Sequence, residues 1–190
     1  MAVKLKLKND DDCYGWPIIS LHWLMAVAVF GLYFLGLYII DMSYYDPNYK
    51  TLPHWHRSLG MIMLFALGLR LLCRCVDRAP RALPGHGHAT RLLTKTAHAL
   101  LYLLMLTALL SGYVMSSADG HAVAVFNWFS VPALPIEMHH QADRAGMLHY
   151  WSSTALIALS CLHALAALKH HFIDKDSTLT RILGIKRETP

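Results

Sequence analysis

The chain has 190 residues, of which 55% are hydrophobic and only 15% are charged. A water-soluble domain usually carries about 25% charged residues, so this composition indicates a membrane protein. The formal net charge of +5 does not indicate a nucleic-acid partner, because the basic residues cluster at the ends of apolar stretches. The four cysteines include no C-x-x-C pair of the kind that binds metals or takes part in redox chemistry.

Residues 1–15 are polar and lack the small-residue cleavage site of a signal peptide, so we expect a soluble N-terminal tail. Pro17 then suits the first turn of a helix, where its missing N–H costs nothing. Residues 18–40 contain no Asp, Glu, Lys or Arg over 23 positions, long enough for a hydrocarbon core about 30 Å thick. We predict a first span over residues 17–40, with His22 just inside it.

Two further apolar stretches predict a second span over residues 54–75 and a third over residues 95–117. Each has a histidine near its start, His56 in the second and His98 in the third. Arg70 lies fourteen positions after His56, so it shares that histidine's helical face at a deeper level.

The fourth predicted span, residues 146–169, carries two histidines, His149 and His163. Fourteen residues at about 1.5 Å each separate their Cα atoms by about 21 Å along a helix. Fourteen steps of about 100° fall about 40° short of four full turns, so both imidazoles project from nearly the same face. A polar C-terminal tail follows over residues 171–190.

The connections between the spans differ in length and character. Residues 41–53 form a short loop with interfacial tyrosines, and residues 76–95 form a basic loop rich in Pro and Gly. The third connection, residues 119–144, is longer than is needed to join two spans. It includes the sequence F-N-W-F-S-V-P-A-L-P, whose aromatic residues and prolines predict a short segment lying in the membrane interface.

The uneven distribution of basic residues predicts the orientation in the membrane. The N-terminal tail, the second connection and the C-terminal tail carry 14 of the 17 Lys and Arg residues. The first and third connections carry the other three: Lys50, Arg57 and Arg144. Both termini are therefore expected to be cytoplasmic.

The histidines of the four spans fall into two levels when this orientation is applied. Imidazoles buried in lipid are costly unless they are paired or ligated, so they are candidate functional residues. Two levels of histidine on one face suggest two stacked hemes, each held by axial imidazoles. The outer level offers His56 with His149, and the inner level offers His163 with either His22 or His98.

Four short motifs occur in order along the spans: S-L-H-W-L at residues 20–24, H-R-S-L-G at 56–60, L-H-Y-W at 148–151 and L-H-A-L-A-A-L-K-H-H-F at 162–172. Together they resemble the bacterial cytochrome b561 family over about residues 14–185. Within that family the chain is similar to short homologues with the stretches S-A-D-G and F-I-D-K-D, here residues 117–120 and 172–176.

The four spans predict an all-α fold, a four-helix transmembrane bundle with both termini cytoplasmic. The resemblance implies that residues 16–170 form a di-heme domain in the bacterial inner membrane, with two b hemes per chain. It assigns no ligand role to His98. The axial ligands that the resemblance implies are His22 and His163 for the inner heme iron, and His56 and His149 for the outer heme iron.

Three arginines are candidate contacts for the heme propionates, whose charges are costly in a low dielectric unless they are paired. Arg70 lies at the inner level, where the alternative is that its side chain extends to the cytoplasmic surface. Arg57 and Arg144 lie near the outer level, where the alternative is an ordinary boundary charge.

Imidazole ligation on both sides of an iron leaves no open position, which favours electron transfer over oxygen activation. The resemblance implies exchange with the ubiquinone pool at one face of the membrane. At the other it implies a periplasmic donor or acceptor, which is superoxide in some relatives. The outer connections carry five acidic residues beside the three basic ones, which does not favour the steering of an anion.

A different class of function is a non-catalytic one, the heme b anchor subunit of a larger oxidoreductase such as a hydrogenase or formate dehydrogenase. Iron–sulfur subunits that co-purify with the chain would distinguish it from an independent cytochrome. Membrane lipid is an expected partner in both cases, and a homodimer is compatible with the sequence.

Overall fold

The structure is a computed structural model that describes residues 6–78, 80–81, 83, 87–136 and 138–185. The outermost parts of both predicted tails, residues 1–5 and 186–190, lie outside the described residues. Four long helices make up most of the fold: α1 (Trp16–Ile40), α2 (Thr51–Val76), α3 (His88–Ser116) and α4 (Gln141–Phe172).

All four helices are long and apolar enough to cross a membrane, which confirms the prediction of a helical bundle with four candidate spans. The helices are longer than the apolar stretches. The predicted loop over residues 76–95 was wrong at its end, because α3 already begins at His88. Hydropathy detects only the lipid-facing part of a helix, whereas residues such as Arg91 and Lys95 continue the same helix outside that part.

The helices pack through a thin apolar core. Met25 of α1, Met63 and Leu67 of α2 are almost fully buried, and Tyr102 and Met105 of α3 pack against them. Most other large apolar side chains are exposed on the outer surface of the bundle. This distribution is typical of helices whose outer faces contact lipid.

A small hairpin in the connection between α3 and α4 was not predicted as strands. Strand β1 (Val123–Val125) pairs antiparallel with β2 (Phe129–Val131). Val123 and Val125 are buried against Met61 of α2. We call the end of the bundle that carries this hairpin the hairpin end.

The opposite end of the bundle, here called the terminal end, brings together the segment before α1, the start of the second connection and the segment after α4. The Asn9 backbone N–H donates to the Asp77 carboxylate at 2.8 Å. A short helix, α5 (Thr178–Ile182), follows α4, and its Ile182 carbonyl accepts a hydrogen bond from the Trp23 indole at 3.0 Å. Trp23 directly follows His22, so this contact fixes α5 beside the first turns of α1.

Candidate functional site

Two histidines predicted to form a pair lie together near the hairpin end. The rings of His56 on α2 and His149 on α4 have their centroids 6.1 Å apart and their planes at 83°. We call this the hairpin level. The structure therefore brings together the two residues that were predicted to pair because they lie at the same depth in the membrane, at the outer level.

The hydrogen bonds of these two rings bear on how they can bind a metal. His149 Nδ1 lies 2.7 Å from the Ala108 carbonyl oxygen. A carbonyl only accepts hydrogen bonds, so Nδ1 carries the proton and Nε2 keeps its lone pair for a metal. The His56 Nδ1 atom is buried and has no hydrogen-bond partner within the described part of the chain.

Two glycines make room for these rings. A Cβ atom at Gly112 would lie 3.0 Å from both Cε1 and Nδ1 of His149, and one at Gly36 would lie 3.2 Å from Cε1 of His56. Both distances are shorter than most Cβ contacts in proteins, so a larger residue at either position would require the imidazole ring to move. The sequence analysis did not single out either glycine. Spacing offered a signal, because each follows a histidine of its own helix by fourteen positions.

The second group, which we call the terminal level, contains three imidazoles. The rings of His98 on α3 and His163 on α4 have centroids 5.3 Å apart and planes at 66°. His22 on α1 interacts electrostatically with both of them. Sequence depth left His22 and His98 open as partners of His163, and all three histidines lie at this level.

Arg70 lies at the terminal level, where the sequence analysis expected it. Its Nη2 atom is 3.0 Å from His22 Nδ1, and its Nε donates to the Tyr102 hydroxyl at 3.0 Å. Arg74 lies over the same tyrosine ring, 5.6 Å from the centroid. The sequence analysis missed Tyr102, although it follows His98 by four residues and so shares its helical face.

The two other predicted arginines lie near the hairpin end. Arg57 is exposed and its Nε donates to the Pro53 carbonyl at 3.3 Å. Arg144 lies in the first turn of α4, and its side chain is also exposed. A cavity of about 700 Å³ opens at this end and reaches His56. Of these two arginines, Arg57 lines the cavity and Arg144 does not. The other residues that line this cavity include Met42, Tyr49, Met115, Ser116 and Asp119.

The residues of the hairpin level fit a b-type heme. An imidazole whose Nδ1 bonds a carbonyl oxygen is the usual form of a metal-bound histidine, and glycines give the rings space. Guanidinium groups such as that of Arg70 pair with carboxylates, which heme carries as propionates. Four membrane-crossing helices with imidazoles grouped at two levels therefore define a class of protein, the membrane-bound b-type cytochromes.

Comparison with known proteins narrows this class to a family. The family model for prokaryotic cytochrome b561 matches residues 13–184, and the chain belongs to that family. It is 42% identical to cytochrome b561 homolog 2 of Escherichia coli (strain K12), over 95% of this chain and 96% of that protein. It is 26% identical to the probable superoxide oxidase CybB of Yersinia pestis, over 92% of this chain and 97% of that protein.

Membership confirms the family resemblance that the four histidine motifs carried. A member of this family is an electron-transport protein of the membrane, and its cofactor is heme b. The four apolar helices support a multi-pass location in the inner membrane.

Proposed function

We propose that the chain binds two b hemes, one at each histidine level, and carries electrons between the two faces of the inner membrane. The observation that carries this proposal is the grouping of five imidazoles at two levels of one bundle. His149 and His163 are fourteen positions apart on α4, so the levels are separated by about 21 Å along the helix. Heme would supply reversible one-electron chemistry at each level.

At the hairpin level the proposed axial ligands are His56 and His149. At the terminal level they are His163 and His22, as the family resemblance implies. His98 is the alternative to His22, because its ring lies 5.3 Å from that of His163. In either case two imidazoles would hold the heme iron, and such a heme would supply electron transfer rather than binding of oxygen.

The proposed partners follow from the orientation and from the cavity. We propose that the terminal end is cytoplasmic, because the segments there carry most of the basic residues. The cavity at the hairpin end then opens to the periplasm and gives a small redox partner access to His56. We propose that electrons pass between this partner and the ubiquinone pool.

The name of the Yersinia relative makes superoxide one candidate for the periplasmic partner. The cavity contains Arg57, which would attract an anion, and also Asp119, which would repel it. Positive charge does not dominate the cavity, so a neutral or protein partner fits its lining equally well.

Heme quantitation tests the proposal directly. Purified protein analysed as the pyridine hemochrome should give two b hemes per chain, and one heme per chain would contradict the two-level arrangement. His149→Ala should remove the heme of the hairpin level and leave the other in place. Reduction of ubiquinone by the isolated chain would support the proposed partner, whereas heme content that depends on co-purifying iron–sulfur subunits would favour an anchor subunit.

The terminal level needs its own comparison, between His22→Ala and His98→Ala. We expect His22→Ala to lose the terminal-level heme, as His163→Ala should, while His98→Ala retains it. Optical and paramagnetic resonance spectra distinguish the two hemes, so each loss can be assigned to a level. If His98→Ala loses this heme and His22→Ala keeps it, then His98 is the ligand.

A further inference from the structure

The connection that holds the β1–β2 hairpin has an unusual composition for a segment outside the predicted spans. Residues 120–136 contain no Asp, Glu, Lys or Arg. Connections that run through water are normally rich in polar side chains. This segment instead carries aromatic and aliphatic residues at its tip and on both strands, so its composition matches a less polar environment.

Several backbone groups of the hairpin have hydrogen-bond partners within the protein. The two strands pair over three residues each. Ser58 of α2, which is fully buried, accepts a hydrogen bond from the Phe126 N–H at 2.9 Å and donates to the Ala124 carbonyl at 3.4 Å. The Tyr113 hydroxyl donates to the Pro132 carbonyl. These bonds lower the cost of moving the segment out of water, and the open edge of a two-stranded sheet limits its depth to the level of the headgroups.

The exposed aromatic side chains of the hairpin continue into the outer surface of α2. Trp128 is 74% exposed and Phe129 is 46% exposed. The Phe129 ring lies 6.2 Å from that of Phe65, which is itself exposed on α2. Phe65 follows Arg57 by eight residues, so it lies about 12 Å further along the helix than that charge. The hairpin therefore reaches past the charged end of α2 towards the membrane interior.

We propose that the β1–β2 hairpin is embedded in the bilayer, with Trp128 and Phe129 in contact with lipid at the boundary between headgroups and acyl chains. Trp is enriched at this depth because its ring is apolar and its indole N–H still forms hydrogen bonds. The bilayer is favoured over a partner protein because the aromatic surface is continuous with the apolar outer surface of α2. The hairpin is thus a membrane-binding element in addition to the four helices.

A nitroxide spin label at the tip of the hairpin tests this proposal. Trp128 lies between the two strands and is 74% exposed, so Trp128→Cys places a label at one of the two positions proposed to contact lipid. The four native cysteines are first replaced by serine, and heme content confirms that the protein is intact. The control is Asp11→Cys in the N-terminal segment, where the native carboxylate is 68% exposed and so lies in water.

Collision rates with oxygen and with a water-soluble nickel chelate are then measured in lipid nanodiscs. Oxygen concentrates in lipid and the chelate in water. We expect the ratio of oxygen to chelate collisions to be several-fold higher for the Trp128→Cys label than for the Asp11→Cys label. Equal ratios would place the hairpin in water and overturn the proposal. A Trp128→Cys label shielded from both reagents would show that protein covers the hairpin, which would also overturn it.

Discussion

At the scale of single residues, one spacing recurs in all four long helices. Each helix carries a histidine and, fourteen positions later, a second residue of a histidine level. Since neighbouring helices run in opposite directions, the later residues of α1 and α3 reach the hairpin level, and those of α2 and α4 reach the terminal level. The four pairs are His22 and Gly36, His56 and Arg70, His98 and Gly112, and His149 and His163.

Gly112→Ala should impair the hairpin level. The new Cβ would lie 3.0 Å from two atoms of the His149 ring, which would have to move. We expect loss of the corresponding heme or a changed axial-ligand spectrum, measured by optical and paramagnetic resonance spectroscopy. Gly68→Ala on α2 is the matched control, because a Cβ there meets no atom within 4 Å among the residues that the structure describes. Equal spectra for both variants would contradict the assigned role of Gly112.

Arg70→Gln should lower the reduction potential of the terminal-level heme. A guanidinium near the heme favours the ferrous state, and the variant keeps much of the side-chain length while losing the charge. We expect a fall on the order of 60 mV, about a tenfold change in the one-electron equilibrium. Redox titration measures it. The control is Arg91→Gln, an exposed arginine seven residues before His98 on α3, which should leave this potential nearly unchanged. A larger shift at the hairpin level would refute the assignment.

At the scale of secondary-structure elements, the hairpin is attached to α2 close to a candidate heme ligand. Ser58 forms the two hydrogen bonds to the hairpin and follows His56 by two residues. The hairpin therefore restrains the first turns of α2, where the His56 ring must keep its position opposite His149. The connection between α3 and α4 is longer than is needed to join two helices, and this restraint on the start of α2 gives a reason for the extra length.

Ser58→Ala should destabilise the protein by about 1 kcal/mol, because the part-buried Phe126 N–H and the Ala124 carbonyl lose their hydrogen-bond partner. Unfolding in SDS, followed by heme release, measures the change. Ser152→Ala is the control. Ser152 is also buried, but its hydroxyl bonds to the Leu148 carbonyl of its own helix, so its loss should cost less than the loss of Ser58. Equal losses would show that the hairpin contributes nothing to stability.

At the scale of the whole molecule, the terminal end holds the first and the last of the segments that the structure describes. The Asn9 contact with Asp77 and the Trp23 contact with Ile182 join segments that are far apart in sequence. The N-terminal segment and α5 must therefore lie on the same side of the membrane. The charge distribution predicts that this side is the cytoplasm.

Reporter fusions at the C-terminus test this orientation. A fluorescent protein fused there should fluoresce, and alkaline phosphatase fused there should stay inactive because it requires the periplasm. The matched control places each reporter after a chain truncated in the α1–α2 connection, near Tyr45, where the results should be reversed. Active phosphatase at the C-terminus would invert the topology, and the cavity at the hairpin end would then face the cytoplasm.

Much of the fold and part of the site can be predicted from the sequence. The four spans are evident from the length of their apolar stretches. Their histidines stand out because an imidazole in such a stretch is costly unless it has a ligand or a partner. Depth alone leaves the partner of His163 open, because it gives height along the membrane normal and not the angular position around the bundle. The hairpin was missed because strands of three residues show no usable periodicity. Gly36 and Gly112 escaped notice because a glycine provides only space.

The recurring spacing within the helices also limits how the length of such a chain can change. One inserted or deleted residue between the two members of a pair would turn the second by about 100° and shift it by about 1.5 Å. That helix would then present a lipid-facing side chain to one of the two histidine levels. Insertions and deletions can accumulate in the connections and tails, but the positions between the two members of each pair must keep their number. Within each helix, residue count is therefore under stronger constraint than residue identity at the lipid-facing positions.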